Sequence, residues 1–233
     1  MHPPTRRRTL PIVQTADQVI QDVGLLENAY FQDLASGELS RSEFLMSQRQ
    51  FYFAVAYFSR PMMALAARLE LPEQRLGLLE NIVEEHGGFH PDAFHEATFR
   101  QFLGTIGGSG ERPAAEEAGP SVLAFNATLM GVCQTRSVAT AACCLGIIEY
   151  AFADLSALIG RCVVQHGWVA EDDLVHYKLH AEIDKQHAAD LFEIAVGQWE
   201  DPRQRPLLVQ GLRLGADAFD RLYRGLRAHP PNH

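Results

Sequence analysis

The segment from Tyr177 to His187 carries the densest set of potential metal ligands in the sequence. His180, Asp184 and His187 follow one another at spacings of four and three residues. At about 100° per residue on an α-helix, their side chains fall within about 60° of one another. One helix face therefore presents imidazole, carboxylate and imidazole groups, which is typical of a metal-binding face. Asp–His pairs at these spacings also form ordinary salt bridges, which is the alternative for this segment alone.

Glu149 stands at the end of an apolar stretch, residues 141–148, that contains no charged side chain. The apolar residues surround the helix that this stretch predicts, so Glu149 is expected to be buried. A buried carboxylate is unfavourable unless it is paired or binds a metal. The alternatives are a protonated carboxyl or a tertiary pairing with an arginine such as Arg136 or Arg161, neither of which lies within one helical turn.

A third group of polar residues surrounds a predicted helix end. Glu84, Glu85 and His86 precede Gly87-Gly88, and His90 follows. Adjacent carboxylates near a helix C-terminus are often only solvated, but here they oppose the helix dipole, so their placement has a local cost. This indicates a role that offsets the cost.

Together the three segments supply three carboxylates and three imidazoles. Structural zinc sites favour four sulfur and nitrogen ligands, and calcium favours oxygen. A mixed set with more than four members suits iron or manganese, and six ligands suit two metal ions. The chain lacks the Glu-x-x-His motif of ferritin-like di-iron bundles. The predicted catalytic and metal-binding residues are Glu84, His90, Glu149, His180, Asp184 and His187.

The elements that must position these ligands are all predicted to be helices. Apolar residues recur at helical spacing, no strand alternation is present, and Ser40-x-x-Glu43 is a capping box. Residues 104–120, rich in Gly, Pro, Ala and Glu, form the longest predicted loop. The sequence predicts an all-α, single-domain bundle of about seven to eight helices over residues 15–228, preceded by a flexible tail over residues 1–14. The predicted helices are 15–34, from Ser40 through a kink at Pro61, from Pro72 to 85, 91–103, 121–134, 137–165, 171–197 and 203–227.

Composition limits the function classes. The chain has 233 residues, 47% of them hydrophobic, and a net charge of −9, which disfavours nucleic-acid partners. Its four cysteines match neither a zinc pattern nor a disulfide framework, and reduced buried thiols indicate a cytoplasmic protein. We expect no signal peptide, no membrane span and a small-molecule partner, and the sequence leaves a homodimer open.

The motifs resemble those of the heme-oxygenase-like di-iron oxidases, relatives of pyrroloquinoline quinone synthase and of thiaminase II. The resemblance extends from about Gly37 to Ala195 and rests on the Glu-Glu…His-Pro segment at 84–91, Gly146-x-x-Glu149-Tyr150 and His180-x-x-x-Asp184-x-x-His187. It implies a heme-oxygenase-like fold, two Fe(II) ions, dioxygen as co-substrate and, as an open point, an external reductant. It also implies oxidation of a small molecule, an amine or amino-acid-derived metabolite of a biosynthetic pathway, by N-oxygenation, desaturation or carbon–carbon cleavage.

One spacing departs from this family. The family places its first glutamate and histidine seven positions apart, whereas Glu84 and His90 are six apart. Gly87-Gly88 ends the helix and allows His90 to turn inward. Glu85 and His86 therefore stay open as substitutes in the first iron site.

Two other function classes compete with the di-iron interpretation. Thiaminase II shares the fold but is a metal-free hydrolase with a nucleophilic cysteine, for which Cys143 and Cys144 are the candidates. Neither has a neighbouring base or positive charge in sequence. A non-enzymatic helical interaction protein would leave Glu149 and the ligand face of the 171–197 helix unexplained. We expect the substrate pocket to be lined by the aromatic residues Tyr52, Phe53 and Tyr57.

Overall fold

The first predicted helix, residues 15–34, is two helices in the computed structural model, which describes residues 5–228. Gly24 adopts a left-handed φ of 71°, and the Asn28 side chain accepts a hydrogen bond from the Tyr30 amide to begin the next helix. Within the described residues there are nine α-helices, several single 3₁₀ turns and no strand, so the all-α prediction is confirmed. The helices are α1 (Thr5–Val23), α2 (Ala29–Ser36), α3 (Arg41–Ala66), α4 (Leu76–Glu85), α5 (His95–Thr105), α6 (Pro120–Thr135), α7 (Val138–Gln165), α8 (Val175–Trp199) and α9 (Arg205–Ala228).

The beginning of α1 corrects the predicted tail over residues 1–14. The helix starts at Thr5, ten residues before the predicted Thr15, and both Thr9 and Ile12 are buried. Pro11 lies inside it. Proline removes a helical hydrogen bond and normally argues for a helix end, which is why the sequence pattern placed the start too late. Residues 1–4 lie outside the described part of the chain.

The other helix ends follow their local sequence signals. Ser40 and Glu43 form the predicted capping box of α3, and Pro61 is accommodated inside that helix. Pro72 begins a 3₁₀ turn, and α4 follows directly from Leu76. The Asp201 carboxylate accepts a hydrogen bond from the Arg203 amide just before α9. Local sequence signals thus set where these helices begin and end, and packing determines how the helices contact one another.

The helix α7 runs through the core, packed closely between α8 and α9. At Gly215 of α9 a Cβ atom would lie 2.3 Å from the Cys144 carbonyl oxygen, and at Gly146 of α7 it would lie 2.6 Å from the Phe192 ring. Gly215 therefore permits a close backbone approach between α9 and α7, and Gly146 leaves room for the Phe192 ring of α8. The contact at Gly146 brings α7 and α8, which carry Glu149 and the His-Asp-His face, close together.

By length and composition, α7 could cross a membrane, although no such helix was expected from the sequence. However, 78% of its most apolar stretch is buried inside the protein. An apolar helix that is covered on most sides by other helices is typical of a protein core.

The predicted 104–120 loop is tied to the helices it crosses. Arg112 pairs with Glu96 of α5 at 3.0 Å, and Glu117 pairs with Arg49 of α3 at 2.7 Å. The Gly119 amide donates to the Gln50 side chain at 2.8 Å. One hydrophobic cluster includes residues from helices on both sides of this loop.

Candidate metal centre

The helix α8 presents the three predicted ligands together on its buried face. His180 Nδ1 lies 2.9 Å from Asp184 Oδ1, and His187 Nδ1 lies 3.7 Å from the same oxygen. All three residues are buried. Asp184 therefore stands between two imidazoles, as the helical spacing predicted.

Glu149 reaches this face from α7. Its Oε2 lies 3.9 Å from His187 Nδ1, and one potential ligand atom from each of Glu149, Asp184 and His187 falls within 4.8 Å of the others. The nearest hydrogen-bond donor to the Glu149 carboxyl is the Asn81 amide, at a long 3.5 Å. No arginine pairs with Glu149 in the described residues, so the alternative of a pairing with Arg136 or Arg161 finds no support there.

The two glutamates that end α4 point to different partners. Glu84 Oε2 lies 2.5 Å from His187 Nε2, although the Glu84 side chain is 53% exposed. Glu85 is buried, and its Oε1 lies 2.9 Å from Nδ1 of His95. The structure thus brings both glutamates to the centre, Glu84 at its outer edge and Glu85 inside it.

His90 does not join this cluster, which corrects its predicted role as a ligand. Gly87 and Gly88 both adopt left-handed φ values, of 54° and 59°, and the chain turns outward, leaving His90 exposed. The chain then turns back through a 3₁₀ turn at Pro91–Ala93, and His95 opens α5. The His95 ring is 4.5 Å from the His180 ring between centroids. His95 thus occupies the place that the sequence gave to His90.

The other substitute, His86, stays at the edge. It is half-buried, and its Nδ1 is 2.7 Å from the Ile82 carbonyl oxygen. The sequence analysis also missed His176, which is buried one turn before His180 with its ring 4.4 Å from that of His180. His176 could have been found by extending the α8 face by four residues. His95 had no such signal, because only the fold brings it in.

The electrostatics of the cluster favour neutral imidazoles and crowd the carboxyl groups together. Burial, with a smaller effect of His95, lowers the pKa of His180 to about 3, and burial also lowers the pKa of His187. Burial first, and then the negative charges of Asp184 and Glu85, raise the pKa of Glu149 well above its ordinary value. Neutral imidazoles are the form that binds metals, whereas crowded buried carboxylates need a cation to stay ionised.

The pair formed by Glu85 and His95 behaves differently. Burial opposes ionisation of Glu85, but the charge and hydrogen bond of His95 outweigh it and lower the pKa of Glu85. The same interaction overcomes the burial of His95 and raises the pKa of its imidazole. These shifts favour the charged forms of Glu85 and His95, as in a buried ion pair.

Several buried atoms of the cluster lack hydrogen-bond partners. On α8 these are His176 Nε2, His180 Nε2, Asp184 Oδ2 and His187 Nδ1. Buried polar atoms in folded proteins are nearly always satisfied, so four neighbouring exceptions indicate a missing partner. The unpartnered atoms are three imidazole nitrogens and a carboxylate oxygen, which fit a transition-metal site with mixed ligands.

An apolar inner pocket opens onto the centre. Its polar end is formed by Glu85, His95, Glu149 and His180. The remainder is mainly aromatic and includes Phe51, Phe58, Phe125, Phe152 and Phe219. The predicted lining residues Tyr52, Phe53 and Tyr57 lie instead along a wider outer groove, on the other side of α3. The inner pocket itself uses Phe51, Ala54 and Phe58 of the same helix.

Residues 46–220 match the family described as iron-containing redox enzyme. The chain belongs to this family. The match covers α4, α5, α7 and α8, the four helices that provide the cluster. Its membership of the iron-containing redox enzymes confirms the family resemblance that the sequence motifs indicated.

Among curated relatives, this family member is similar to 4-aminobenzoate synthases of three chlamydial species. It is 26% identical to the Chlamydia muridarum protein over 175 residues, which are 75% of this chain and 73% of the relative. It is 25% identical to the Chlamydia trachomatis protein over 75% of this chain and 74% of the relative. It is 24% identical to the Chlamydia pneumoniae protein over 76% of this chain and 78% of the relative.

Two solved structures show the same fold. A TenA homolog from Pseudomonas syringae aligns with a TM-score of 0.73 at 17% identity, covering 92% of this chain and 90% of that one. A CADD-like protein of unknown function from Nostoc punctiforme aligns with a TM-score of 0.71 at 16% identity, covering 94% of this chain and 97% of that one. The heme-oxygenase-like helical fold predicted from the sequence is confirmed.

Proposed function

We propose that this redox enzyme holds two Fe(II) ions and uses dioxygen to oxidise a small molecule. The observation that carries the proposal is the division of the cluster into two adjacent ligand groups joined by Asp184. Glu149 and His187, with Glu84 at the edge, lie on one side of Asp184. His180, His95 and Glu85 lie on the other. Two groups of this size are more than one ion requires.

The ligand set that we propose therefore differs from the sequence-based set by one replacement and one addition. Glu84, Glu149, His180, Asp184 and His187 are retained, His95 replaces His90, and Glu85 is added. When bound, two Fe(II) ions supply electrons for the reduction of dioxygen, and an external reductant completes the electron count where the reaction requires it.

The protein groups have separate tasks in this proposal. The neutral imidazoles of His180 and His187 bind without adding charge, while the carboxylates compensate the charge of the ions. Asn81 donates to Glu149 and orients it. The phenylalanines of the inner pocket exclude water from the reacting end of the substrate.

The substrate in this proposal is an amine or amino-acid-derived metabolite of a biosynthetic pathway. The similarity to 4-aminobenzoate synthases supports a small nitrogen-containing compound. Candidate reactions are N-oxygenation, desaturation and carbon–carbon cleavage. We further propose a cytoplasmic protein without nucleic-acid or membrane partners, and leave a homodimer open.

Anaerobic titration with Fe(II), followed by desalting and metal analysis, tests the metal content. We expect about two irons per chain, and dioxygen consumption when amines and amino acids are screened by mass spectrometry. Binding of no iron, or of one tight zinc with no uptake of iron, would refute the di-iron proposal.

The metal-free hydrolase alternative depends on a reactive cysteine. Cys143 and Cys144 are both fully buried, and burial raises the pKa of each thiol far above its ordinary value. Thiols in this state are poor nucleophiles. We therefore expect Cys143→Ala and Cys144→Ala, singly or together, to keep iron binding and turnover. Complete loss of turnover in a folded variant would favour the hydrolase.

A further inference from the structure

The inner pocket and the outer groove adjoin at Val55 and Glu85, which line both. A ligand that extends from the pocket past these two residues would enter the groove. The helix α3 forms a wall of both. It turns Phe51 and Phe58 toward the pocket, and Arg60 toward the groove.

The groove is lined by two arginines, two glutamates and one histidine, Arg60, Arg112, Glu85, Glu96 and His86. Glu85 is paired with a histidine inside the centre. His86 is half-buried and contacts a main-chain oxygen. Both glutamates of the groove are therefore paired, Glu96 with Arg112, and Arg60 is the remaining charged side chain.

Glu96 accepts more hydrogen bonds than one arginine provides. The Tyr52 hydroxyl donates to it at 2.6 Å, Arg100 Nε at 2.9 Å, and Arg112 at 3.0 and 3.3 Å. Burial raises the pKa of Tyr52 to about 12, assisted by Glu96, so the phenol stays protonated. Arg112, which lines the groove, and Arg100, which does not, thus share the Glu96 carboxylate.

Arg60 supplies an uncompensated positive charge in the groove. It is exposed, and its guanidinium carbon lies 5.2 Å from the centroid of the Tyr57 ring. No carboxylate pairs with it among the described residues. Stacking on an aromatic ring orients a guanidinium and leaves its edge free to donate to a planar anion. In a chain with 29 acidic and 20 basic residues, a groove with this charge is a local exception.

We infer that the substrate is an elongated acid whose carboxylate binds Arg60 in the outer groove and whose apolar body fills the inner pocket. Five residues separate Val55 from Arg60, or about 7.5 Å along the helix. A flexible linker of about five methylene groups spans that distance. The inference rests on the proposed function for the place of oxidation, and it narrows an amine or amino-acid-derived substrate to one that bears a carboxylate.

Paired probes test this inference by isothermal titration calorimetry, which reads binding rather than turnover. The probes are 6-phenylhexanoate and its neutral amide, 6-phenylhexanamide. The full chain is titrated anaerobically with Fe(II) bound and again without iron, because an acid could also bind iron directly. We expect the acid to bind about tenfold or more tightly than the amide in both states, as a charge-assisted pair to arginine provides.

Substitutions at Arg60 identify the recognising group. Arg60→Gln should weaken binding of the acid about tenfold and leave the amide unchanged. Arg60→Glu should weaken it further and improve binding of 6-phenylhexylamine. Arg161→Gln removes another exposed arginine, on α7 and outside the pocket and groove, and should change nothing. Thermal melts of each variant verify that the fold is retained.

Equal affinity for acid and amide, no binding of either, or an unchanged affinity of Arg60→Gln for the acid would overturn the inference. A preference for the acid that occurs only with iron bound would overturn it too, because that result places the carboxylate on the metal. Failure of the di-iron proposal is seen separately in the metal content. The iron-free titrations report on Arg60 whatever that content is.

Discussion

Replacing Glu149 by glutamine should make the iron-free protein more stable and the iron-loaded protein less stable than wild type. The Glu149 side chain is almost fully buried, and its nearest donor is the distant Asn81 amide. Burial and the charges of Asp184 and Glu85 raise the pKa of Glu149. Glutamine keeps the shape of the side chain and removes the ionisable group, so it relieves an unfavourable interaction that only a metal offsets.

The expected gain without iron is about 1–2 kcal/mol. For a chain of this size, about 2–4 °C in Tm per kcal/mol corresponds to a rise of about 2–8 °C. A carboxyl whose pKa is raised on folding stabilises the protein fully only below its unfolded pKa, and this contribution is lost as the pH rises toward the folded pKa. The advantage of Glu149→Gln should therefore increase from pH 5 to pH 8.

Bound iron should reverse the order of stability of wild type and Glu149→Gln. At a free Fe(II) concentration of about 100 times Kd, wild type gains about 2.7 kcal/mol, or about 5–11 °C, whereas the variant loses most of this gain. Anaerobic thermal melts with and without Fe(II) measure both effects, and Glu182→Gln, an exposed change on α8, is the control. If the variant keeps the full iron-dependent rise, Glu149 is not a ligand. If iron-free wild type is much more stable than the variant, Glu149 has a structural partner instead.

Three further predictions test the centre and the packing around it. His95→Ala should lower the iron content from about two to about one per chain, while His90→Ala leaves it at about two; the reverse result in metal analysis would restore His90 as the ligand. In the iron-free protein, Glu85→Gln should cost the most stability between about pH 4.5 and 6.5. The lowered pKa of Glu85 stabilises the fold above about pH 4.5, and the raised pKa of its partner His95 stabilises it below about pH 6.5. A loss of stability that does not vary with pH in thermal melts would contradict this pairing. Gly215→Ala should lower the free energy of unfolding by about 1–3 kcal/mol or more, because the added methyl group meets α7. Gly131→Ala, with nothing within 4 Å of its added methyl group, should leave that free energy unchanged or raise it by up to about 1 kcal/mol. Urea unfolding measures both, and similar effects of the two changes would argue against the close approach at Gly215.

The part of the centre that the sequence predicts best lies on regular helices. His180, Asp184 and His187 share a helix, so the angular repeat alone places them on one face. Glu149 was identified because a single charge interrupts an apolar helix. In both cases the relevant geometry is local, and local geometry can be calculated from spacing.

His95, the proposed ligand that the sequence missed, reaches the centre only through the tertiary structure. Between Glu85 and His95 the chain passes through two left-handed glycines and a 3₁₀ turn, and no periodicity links the two ends. His90 matched the expected motif more closely, but the turn directs it outward. The start of α1 was misplaced for a related reason, since Pro11 signals a helix end locally, whereas burial of Ile12 in the core stabilises the helix through it.

The division of labour among the helices also shows where the substrate range of this enzyme can be changed. The helices α7 and α8 carry the proposed ligands and pack closely at Gly146, so a larger side chain there presses on Phe192 of α8. The helix α3 supplies Phe51, Ala54 and Phe58 to the inner pocket but none of the proposed ligands. Redesign confined to that helix can therefore lengthen, widen or divide the binding space while the proposed ligands stay in place, which makes α3 the natural starting point for directed evolution toward new substrates.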